Sequence, residues 1–185
     1  MRIIVDVDCV VADLVGAILD IADSLTGQKT DRDKLILQWD WFEKEYPAPV
    51  MKEIVHNLDS QEFWRTLPYI KGAFKGVNYL REQGHQLIWV SKPREKCIGW
   101  VDARRDWLSI RFNKGYYNEP FIPTGDKYLI QATAMIDDKV EFVKEWERNN
   151  PSGIGFVFES ELNRDYLEKK YNWESLMEEP FFKRR

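Results

Sequence analysis

The sequence predicts an α/β fold in which a mostly parallel β-sheet is covered by helices on both faces. Short runs of β-branched and other apolar residues alternate along the chain with longer segments of helical periodicity. This alternation is typical of parallel sheets, because the connecting helices then cover both faces of the sheet. Polar residues end several of the strand segments, which is a second indication, since ligands of such sheets bind at the carboxyl ends of the strands.

The first strand and the first helix are predicted near the N-terminus. Residues 3–7 form a β-branched run that leads into acidic residues. Apolar residues then recur at spacings of four, three and four, which predicts an amphipathic helix that ends at Gly27. The apolar stripe of this helix would consist of Leu14, Ile18, Ile21 and Leu25.

Helices and strands alternate regularly from about residue 75 onwards. Further strands are predicted at residues 86–91, 132–136 and 154–158. Helices are predicted at residues 75–83, 95–112, from Val140 onwards with Trp146 on the apolar side, and 166–179. The residues of the 95–112 helix expected to face inward are Ile98, Val101, Leu108 and Phe112.

Residues 28–69 differ in character from the rest of the chain. Aromatic residues and prolines are interspersed with charges there, and no alternating strand pattern occurs. We therefore predict a small helical insertion. The expected division is a core of residues 1–14 and 71–185 with an inserted subdomain at 15–70.

Composition excludes several classes of protein. The 185 residues suffice for one full core, and the net charge of −4 argues against a general nucleic-acid binder, which would be basic. Cys9 and Cys97 are too few and too scattered for a disulfide framework or a zinc site. Neither a signal peptide nor an apolar run of roughly 18 residues is present. We expect a soluble cytoplasmic protein that binds neither membrane nor, stably, nucleic acid.

Polar side chains cluster at the predicted strand ends. They are Asp6 and Asp8 after the first strand, Ser91 after the second, Asp137 and Asp138 after the third, and Lys127 just before the third. Crowded carboxylates repel one another unless a cation lies among them, and oxygen ligands without His or Cys favour Mg²⁺. The sequence therefore predicts a magnesium site at this sheet edge. An aspartate after a strand can instead be a helix N-cap, and this alternative stays open for Asp13 and Asp126.

These motifs resemble the haloacid dehalogenase phosphatases and, within that superfamily, the 5'(3')-deoxyribonucleotidases. The first motif corresponds to residues 6–13 and the second to residues 88–93. Residues 124–127, with Asp137 and Asp138 ten and eleven positions after Lys127, match the third and fourth. Residues 63–73 and 172–174 also have counterparts, so the similarity extends in order over nearly the full length.

The resemblance implies a Rossmann-like haloacid dehalogenase core with a small helical cap, and Mg²⁺ as cofactor. Asp6 would be the nucleophile that forms an aspartyl-phosphate. Asp8 would protonate the leaving oxygen and then activate water. The implied Mg²⁺ ligands are Asp6, Asp8 through its backbone carbonyl, and Asp138, with Asp137 supporting the metal's water shell. The implied phosphate-binding residues are Ser91, Lys92 and Lys127.

The sequence departs from the family pattern at three positions. Cys9 stands where the family usually has Gly, Ser91 where it usually has Thr, and Leu14 where an aromatic residue often packs the nucleobase. Candidates for a wall that faces the base are Leu14, Trp39, Trp41 and Phe42, whereas His56 is interpreted as a surface or packing residue.

The substrate implied by the resemblance is a nucleoside 5'- or 3'-monophosphate, with a deoxyribonucleoside preferred, and a homodimer is suggested. One alternative is a phosphatase of the same fold that acts on another small phosphomonoester or on a nucleic-acid end. Another is a non-catalytic nucleotide-binding protein. Such a protein would be expected to have lost Asp8 or Lys127, and this chain retains both.

Overall fold

The structure is a computed structural model that describes residues 1–32, 41–113 and 119–184, except for the side chains of Phe42, Glu43 and Asn113. Its strands are β1 (Arg2–Asp6), β2 (Gln86–Ser91), β3 (Phe121–Pro123), β4 (Ala134–Asp137) and β5 (Ile154–Val157). The order across the sheet is β3-β2-β1-β4-β5, and each neighbouring pair is parallel. The predicted α/β fold with a mostly parallel sheet is therefore confirmed.

Helices connect and cover the strands. They are α1 (Leu14–Thr26), α2 (Trp41–Glu45), α3 (Ala48–Leu58), α4 (Gln61–Thr66), α5 (Ala73–Glu82), α6 (Trp100–Leu108), α7 (Val140–Asn149) and α8 (Trp173–Glu178). The end of α1 lies where predicted, because Gly27 adopts the left-handed conformation with φ 70°. The described part of residues 28–69 contains α2, α3 and α4, as expected for a helical insertion. In the described residues, no helix combines the length and the apolar character that a membrane span requires.

Both faces of the sheet are buried. Neighbouring residues of β1 point to opposite faces, so Ile3 and Val5 belong to one hydrophobic cluster and Ile4 to another. The smaller cluster packs Ile4 against Trp146 of α7. Each fully buried aliphatic side chain of this kind contributes about 1.5–3 kcal/mol. The position of the central strands, and hence of the polar residues at their ends, is therefore held from both sides.

The sheet contains one strand that the sequence did not predict. β3 is only three residues long and ends at Pro123. It pairs with β2 alone, at the edge of the sheet, where a proline is tolerated because its missing N–H faces no partner strand. A segment this short has too few residues for an apolar period to be recognised.

Three of the helix predictions need correction. The helix predicted at residues 95–112 begins only at Trp100, because Gly99 has φ 80°, and Ile98, expected to face inward, is 89% exposed. Of the tail predicted as a helix over residues 166–179, only α8 is helical; Tyr171 instead exchanges strand-like backbone hydrogen bonds with Val157 and Glu159. In α1 the buried face is rotated from the predicted stripe, so that Leu25 is exposed. The buried residues of α1 are Val15, Gly16, Ile18, Leu19 and Ala22.

Candidate active site

The carboxyl ends of three neighbouring strands bring the predicted polar residues together. β1 ends at Asp6, β2 at Ser91 and β4 at Asp137. The parallel register pairs Asp6 with Val90, so the strand ends are level with one another. A cavity of about 310 Å³ opens at this edge and is lined by the expected acidic, hydroxyl and lysine side chains. Its volume lies at the lower end of the range for ligand pockets, about 300–1,000 Å³.

Lys127 is the cation at the centre of the acidic cluster. Its Nζ donates hydrogen bonds to Oδ1 of Asp6 at 2.5 Å and to Oδ2 of Asp137 at 2.6 Å, and all three side chains are buried. Burial by itself would lower the pKa of Lys127, but Asp137 and Asp6 more than offset it and raise the pKa above its ordinary value. Lys127 is therefore charged at neutral pH and bridges two of the strand-end carboxylates.

One ammonium group does not balance the acidic cluster. Burial raises the pKa of Asp6 from 3.8 to about 8; Lys127 opposes this shift, while Asp137 and Asp8 add to it. Burial, followed by the charges of Asp137 and Asp6, also raises the pKa of Asp138 well above its ordinary value. These shifts arise because the ionised carboxylates lie close together in a poorly solvated place. A bound cation would favour their ionised forms.

Asp138 has an unsatisfied oxygen that fits such a cation. Its Oδ2 accepts a hydrogen bond from Ser160 at 3.0 Å, whereas its Oδ1 is buried and has no hydrogen-bond partner within residues 1–32, 41–113 and 119–184. Oδ2 of Asp6 likewise accepts no hydrogen bond from the described residues. Ligand atoms of Asp6, Asp137 and Asp138 lie within 4.8 Å of one another. Buried carboxylate oxygens normally have hydrogen-bond partners. The three aspartates therefore offer oxygen ligands for a divalent cation, and such a cation would supply the positive charge that the cluster lacks.

Asp137 differs from the other two carboxylates because both of its oxygens are engaged. Oδ2 accepts from Lys127, and Oδ1 accepts from the backbone N–H of Lys139 at 2.9 Å. A carboxylate held in this way has little freedom to turn towards a metal. This geometry agrees with a supporting position for Asp137 and with Asp6 and Asp138 as the candidate direct ligands.

Asp8 is held by two donors from other parts of the chain. Ser91 Oγ donates to its Oδ2 at 2.7 Å, and Nη2 of Arg104 donates to its Oδ1 at 2.7 Å. Ser91, expected to contact phosphate, thus binds Asp8 in this structure. Arg104 was not predicted from the sequence. A usable signal exists, since the buried residues of α6 recur at helical spacing and Arg104 is the charged member of that apolar stripe; they are Trp100, Ala103, Arg104, Trp107 and Leu108.

The loop between Asp8 and α1 is tightly constrained. Cys9 has φ 60°, in the left-handed region, a conformation that favours glycine over residues with a side chain. Asp13 is the N-cap of α1 and accepts from the N–H of Gly16 at 3.0 Å. Arg32 also pairs with Asp13, at 2.7 Å. The N-cap interpretation is therefore confirmed for Asp13, whereas the side chain of Asp126 makes no capping hydrogen bond.

The candidates for base contacts are placed unequally. Leu14 and Trp41 line the cavity, as does the exposed Lys92. Trp39 and the side chain of Phe42 lie outside the described residues. His56 is exposed, in agreement with its interpretation as a surface residue. Further apolar residues on the cavity wall are Val15, Ile18, Leu58 and Trp64.

Solved structures with the same fold are distant in sequence. A HAD family hydrolase from Deinococcus radiodurans R1, solved with bound phosphate and sodium, is 14% identical and has a TM-score of 0.53, over 85% of this chain and 79% of that chain. A hydrolase from Streptococcus pneumoniae TIGR4 is 14% identical with a TM-score of 0.52, over 88% of this chain and 94% of that chain. A hydrolase from Pseudomonas syringae is 12% identical with a TM-score of 0.51, over 93% of each chain. These similarities establish the haloacid dehalogenase fold.

The family follows from a separate comparison of sequences. A search of curated proteins finds no match. A protein-family model described as "5' nucleotidase, deoxy (Pyrimidine), cytosolic type C protein" matches residues 1–179. The match includes every strand of the sheet and all of the strand-end residues described above. The chain therefore belongs to this 5' nucleotidase family and is a phosphoric monoester hydrolase with the haloacid dehalogenase fold.

Proposed function

We propose that this protein is a Mg²⁺-dependent phosphatase that hydrolyses nucleoside 5'- or 3'-monophosphates, preferentially deoxyribonucleotides, through an aspartyl-phosphate on Asp6. The observation that carries the proposal is the buried Asp6–Asp138 pair. Each of these residues has a carboxylate oxygen without a hydrogen bond from the described residues, and both lie at a cavity that Lys127 also lines. The family assignment supports a nucleotide as the substrate.

The first chemical step is attack by Asp6 on phosphorus. Lys127 donates to Oδ1 of Asp6; one oxygen of the Asp6 carboxylate would attack phosphorus while the other contacts Mg²⁺. A new bond forms between the attacking oxygen and phosphorus while the bond between phosphorus and the sugar oxygen breaks. Mg²⁺ held by Asp6, the Asp8 carbonyl and Asp138 would reduce the repulsion between Asp6 and the anionic phosphate. Asp137 would support the metal's water shell through its fixed position.

Asp8 supplies the proton transfers. In the first step its carboxyl group donates a proton to the departing sugar oxygen, which leaves as an alcohol. In the second step the Asp8 carboxylate accepts a proton from water as that water attacks phosphorus. The bond between Asp6 and phosphorus then breaks, and inorganic phosphate and free Asp6 are released. One residue can serve in both steps because it ends the first in the protonation state that the second requires.

Three residues are proposed to bind the phosphoryl oxygens, namely Ser91, Lys92 and Lys127. All three line the cavity. The Ser91 hydroxyl can rotate from Asp8 towards a phosphate oxygen, because it carries one hydrogen and two acceptor positions. Lys92 and Lys127 would neutralise charge as it spreads over the phosphoryl group in the transition state.

The apolar wall of the cavity is the proposed base site. Leu14 and Trp41 line it, and Trp39 and Phe42 remain candidates for the same role. We further propose that residues 15–70 form the cap over a core of residues 1–14 and 71–185. The family's description as cytosolic supports a cytoplasmic location.

A substrate panel tests the proposal. Phosphate release would be measured with and without Mg²⁺ for dUMP, dTMP, dGMP, the matching ribonucleotides, 3'-monophosphates, sugar phosphates and 3'-phosphorylated oligonucleotides. We expect release to require Mg²⁺ and to be fastest for deoxynucleoside monophosphates. A strong preference for sugar phosphates or for oligonucleotide ends would contradict the nucleotide assignment while leaving the phosphatase chemistry in place.

A further inference from the structure

Arg104 is a buried charge in an unusual environment. Its guanidinium has no exposed surface, and its one hydrogen-bond partner among the described residues is Asp8, to which Nη2 donates at 2.7 Å. Nε and Nη1 are buried and have no hydrogen-bond partner in the part of the chain that the structure describes. Around the guanidinium lie three indole rings, whose centroids are between 5.2 and 5.9 Å from Cζ; they belong to Trp64, Trp100 and Trp107.

Packing alone does not explain an arginine at this position. Burial of a cation is unfavourable, and two nitrogens without a hydrogen-bond partner among the described residues make it more so. Contacts with the tryptophan faces offset only part of this penalty. An apolar residue of similar volume would fill the same space without the penalty, as replacements of buried ion pairs by hydrophobic residues have shown. Among the described residues, the anionic group that the charge contacts is Asp8, which makes an effect on Asp8 the reason to consider.

The contact determines the orientation of the Asp8 carboxylate. Arg104 donates to Oδ1 and Ser91 donates to Oδ2, so that each oxygen has a separate donor. Because Ser91 is also a proposed phosphate contact, Arg104 is the donor that would still hold Asp8 when phosphate is bound. Ser91 is at the end of β2 and Arg104 is on α6, and both are buried. The carboxylate of Asp8, by contrast, is partly exposed and lines the cavity. Arg104 thus holds, from its buried position, an acid that is partly exposed at the cavity surface.

We propose that Arg104 is a positioning residue, which holds Asp8 in the orientation needed for proton transfer to the leaving group. This inference rests on the proposed function, because it assumes that Asp8 is the acid and base of a phosphatase. Arg104 has no exposed surface, so it acts through Asp8 and not on the substrate. A displacement of about 1 Å of a catalytic group can cost about a hundredfold in rate.

The positioning role of Arg104 can be tested by comparing kcat/KM for two substrates that differ in whether their leaving group needs a proton. The sugar oxygen of a nucleotide must be protonated as it departs, whereas 4-nitrophenolate leaves without a proton. The ratio kcat/KM reports the steps up to formation of the aspartyl-phosphate. A misplaced Asp8 should therefore lower kcat/KM for a nucleotide but not for 4-nitrophenyl phosphate. It should also slow the later attack by water, so that the aryl substrate gives an initial burst of nitrophenolate.

The experiment compares Arg104→Met with the wild type and with a matched control, Arg81→Met. The side chain of Arg81 is only 4% exposed, pairs with Glu119 at 2.6 Å and is absent from the cavity lining. For Arg104→Met we expect kcat/KM for dTMP to fall about ten- to a hundredfold, with a change of less than about threefold for 4-nitrophenyl phosphate. For Arg81→Met we expect a lower melting temperature and an unchanged ratio between the two substrates.

The outcomes separate the two proposals. An unchanged ratio in a folded Arg104→Met protein would overturn the positioning role. If that variant does not fold, Arg104→Lys is used instead, because lysine keeps the charge but lacks the rigid planar geometry. A fall in kcat/KM for dTMP alone, smaller than that expected for Arg104→Met, supports the positioning role. An unchanged ratio of kcat/KM between the two substrates overturns it. If the wild type releases no phosphate from either substrate in the presence of Mg²⁺, the proposed function fails and the role of Arg104 fails with it.

Discussion

Replacing Lys127 by methionine tests the electrostatics of the acidic cluster. Nζ of Lys127 lies 2.5 Å from Asp6 and 2.6 Å from Asp137, and none of the three side chains is more than 7% exposed. Methionine has a similar length and no charge, so the main effect is to leave buried carboxylates without a cation. Removing one partner from a buried ion pair typically costs about 3–5 kcal/mol. We expect a loss of that size in the free energy of unfolding of the Mg²⁺-free protein at pH about 8.

The loss should become smaller at lower pH. The pKa of Asp6 is raised to about 8, so near pH 5 this carboxyl group carries a proton and needs no cation. Urea denaturation at both pH values in a chelating buffer measures the difference. The matched control is Lys144→Met, since Lys144 forms an exposed pair with Glu168 and should not change stability measurably. A loss below about 1 kcal/mol at pH about 8, or one that grows on acidification, would refute this reasoning.

Three further perturbations test other parts of the structure. Because Cys9 has φ 60°, Cys9→Gly should be more stable than Cys9→Ala by about 1 kcal/mol in thermal unfolding, as both lose the thiol but only glycine relieves the backbone. Gly76→Ala should destabilise the protein by about 1–3 kcal/mol, because a Cβ there would lie 2.0 Å from Cε3 of Trp173. Without metal, the free energy of unfolding should fall as pH rises from about 4 to about 8, because folded Asp6 retains a proton that the unfolded chain has lost. Added Mg²⁺ should therefore stabilise the protein more at pH about 8 than at pH about 5.

Each of these three predictions would be contradicted by a specific result. Equal stability of the two Cys9 variants would show that the left-handed backbone at this position carries no strain. A stabilising Gly76→Ala substitution, as helix propensity alone predicts by about 1 kcal/mol, would contradict the close packing of α5 against Trp173. If Mg²⁺ stabilised the protein equally at both pH values, protons and metal would not compete for the same carboxylates.

The central architecture was predictable because its signals are strong and local. The residues of β1 and β2 form uninterrupted apolar runs, and their polar ends mark the sheet edge at Asp6 and Ser91. The rule that parallel strands end at one edge then brings distant positions together. β3 escaped prediction because three residues, the last of them Pro123, contain no recognisable period.

The buried faces of two helices were predicted only in part. In α1 the apolar residues occur on more than one stripe, so the period alone does not select the buried one; its buried residues include Val15, Leu19 and Ala22. The inward stripe predicted for residues 95–112 included Ile98, which lies before α6 and is exposed, and omitted Arg104, which is fully buried. A charged side chain on a buried face violates the general pattern, and such violations are expected at functional sites. The contact between Arg104 and Asp8 depends on the tertiary structure, so the periodicity of apolar residues could not predict it.

The most direct test of the proposed chemistry is to trap the covalent intermediate. The protein would be mixed with Mg²⁺ and dTMP, quenched in acid, digested and analysed by mass spectrometry. We predict one added phosphoryl group on the peptide that contains Asp6 in the wild type, and neither this adduct nor phosphate release in Asp6→Asn. Release of phosphate by Asp6→Asn at the wild-type rate would contradict the assignment of Asp6 as the nucleophile.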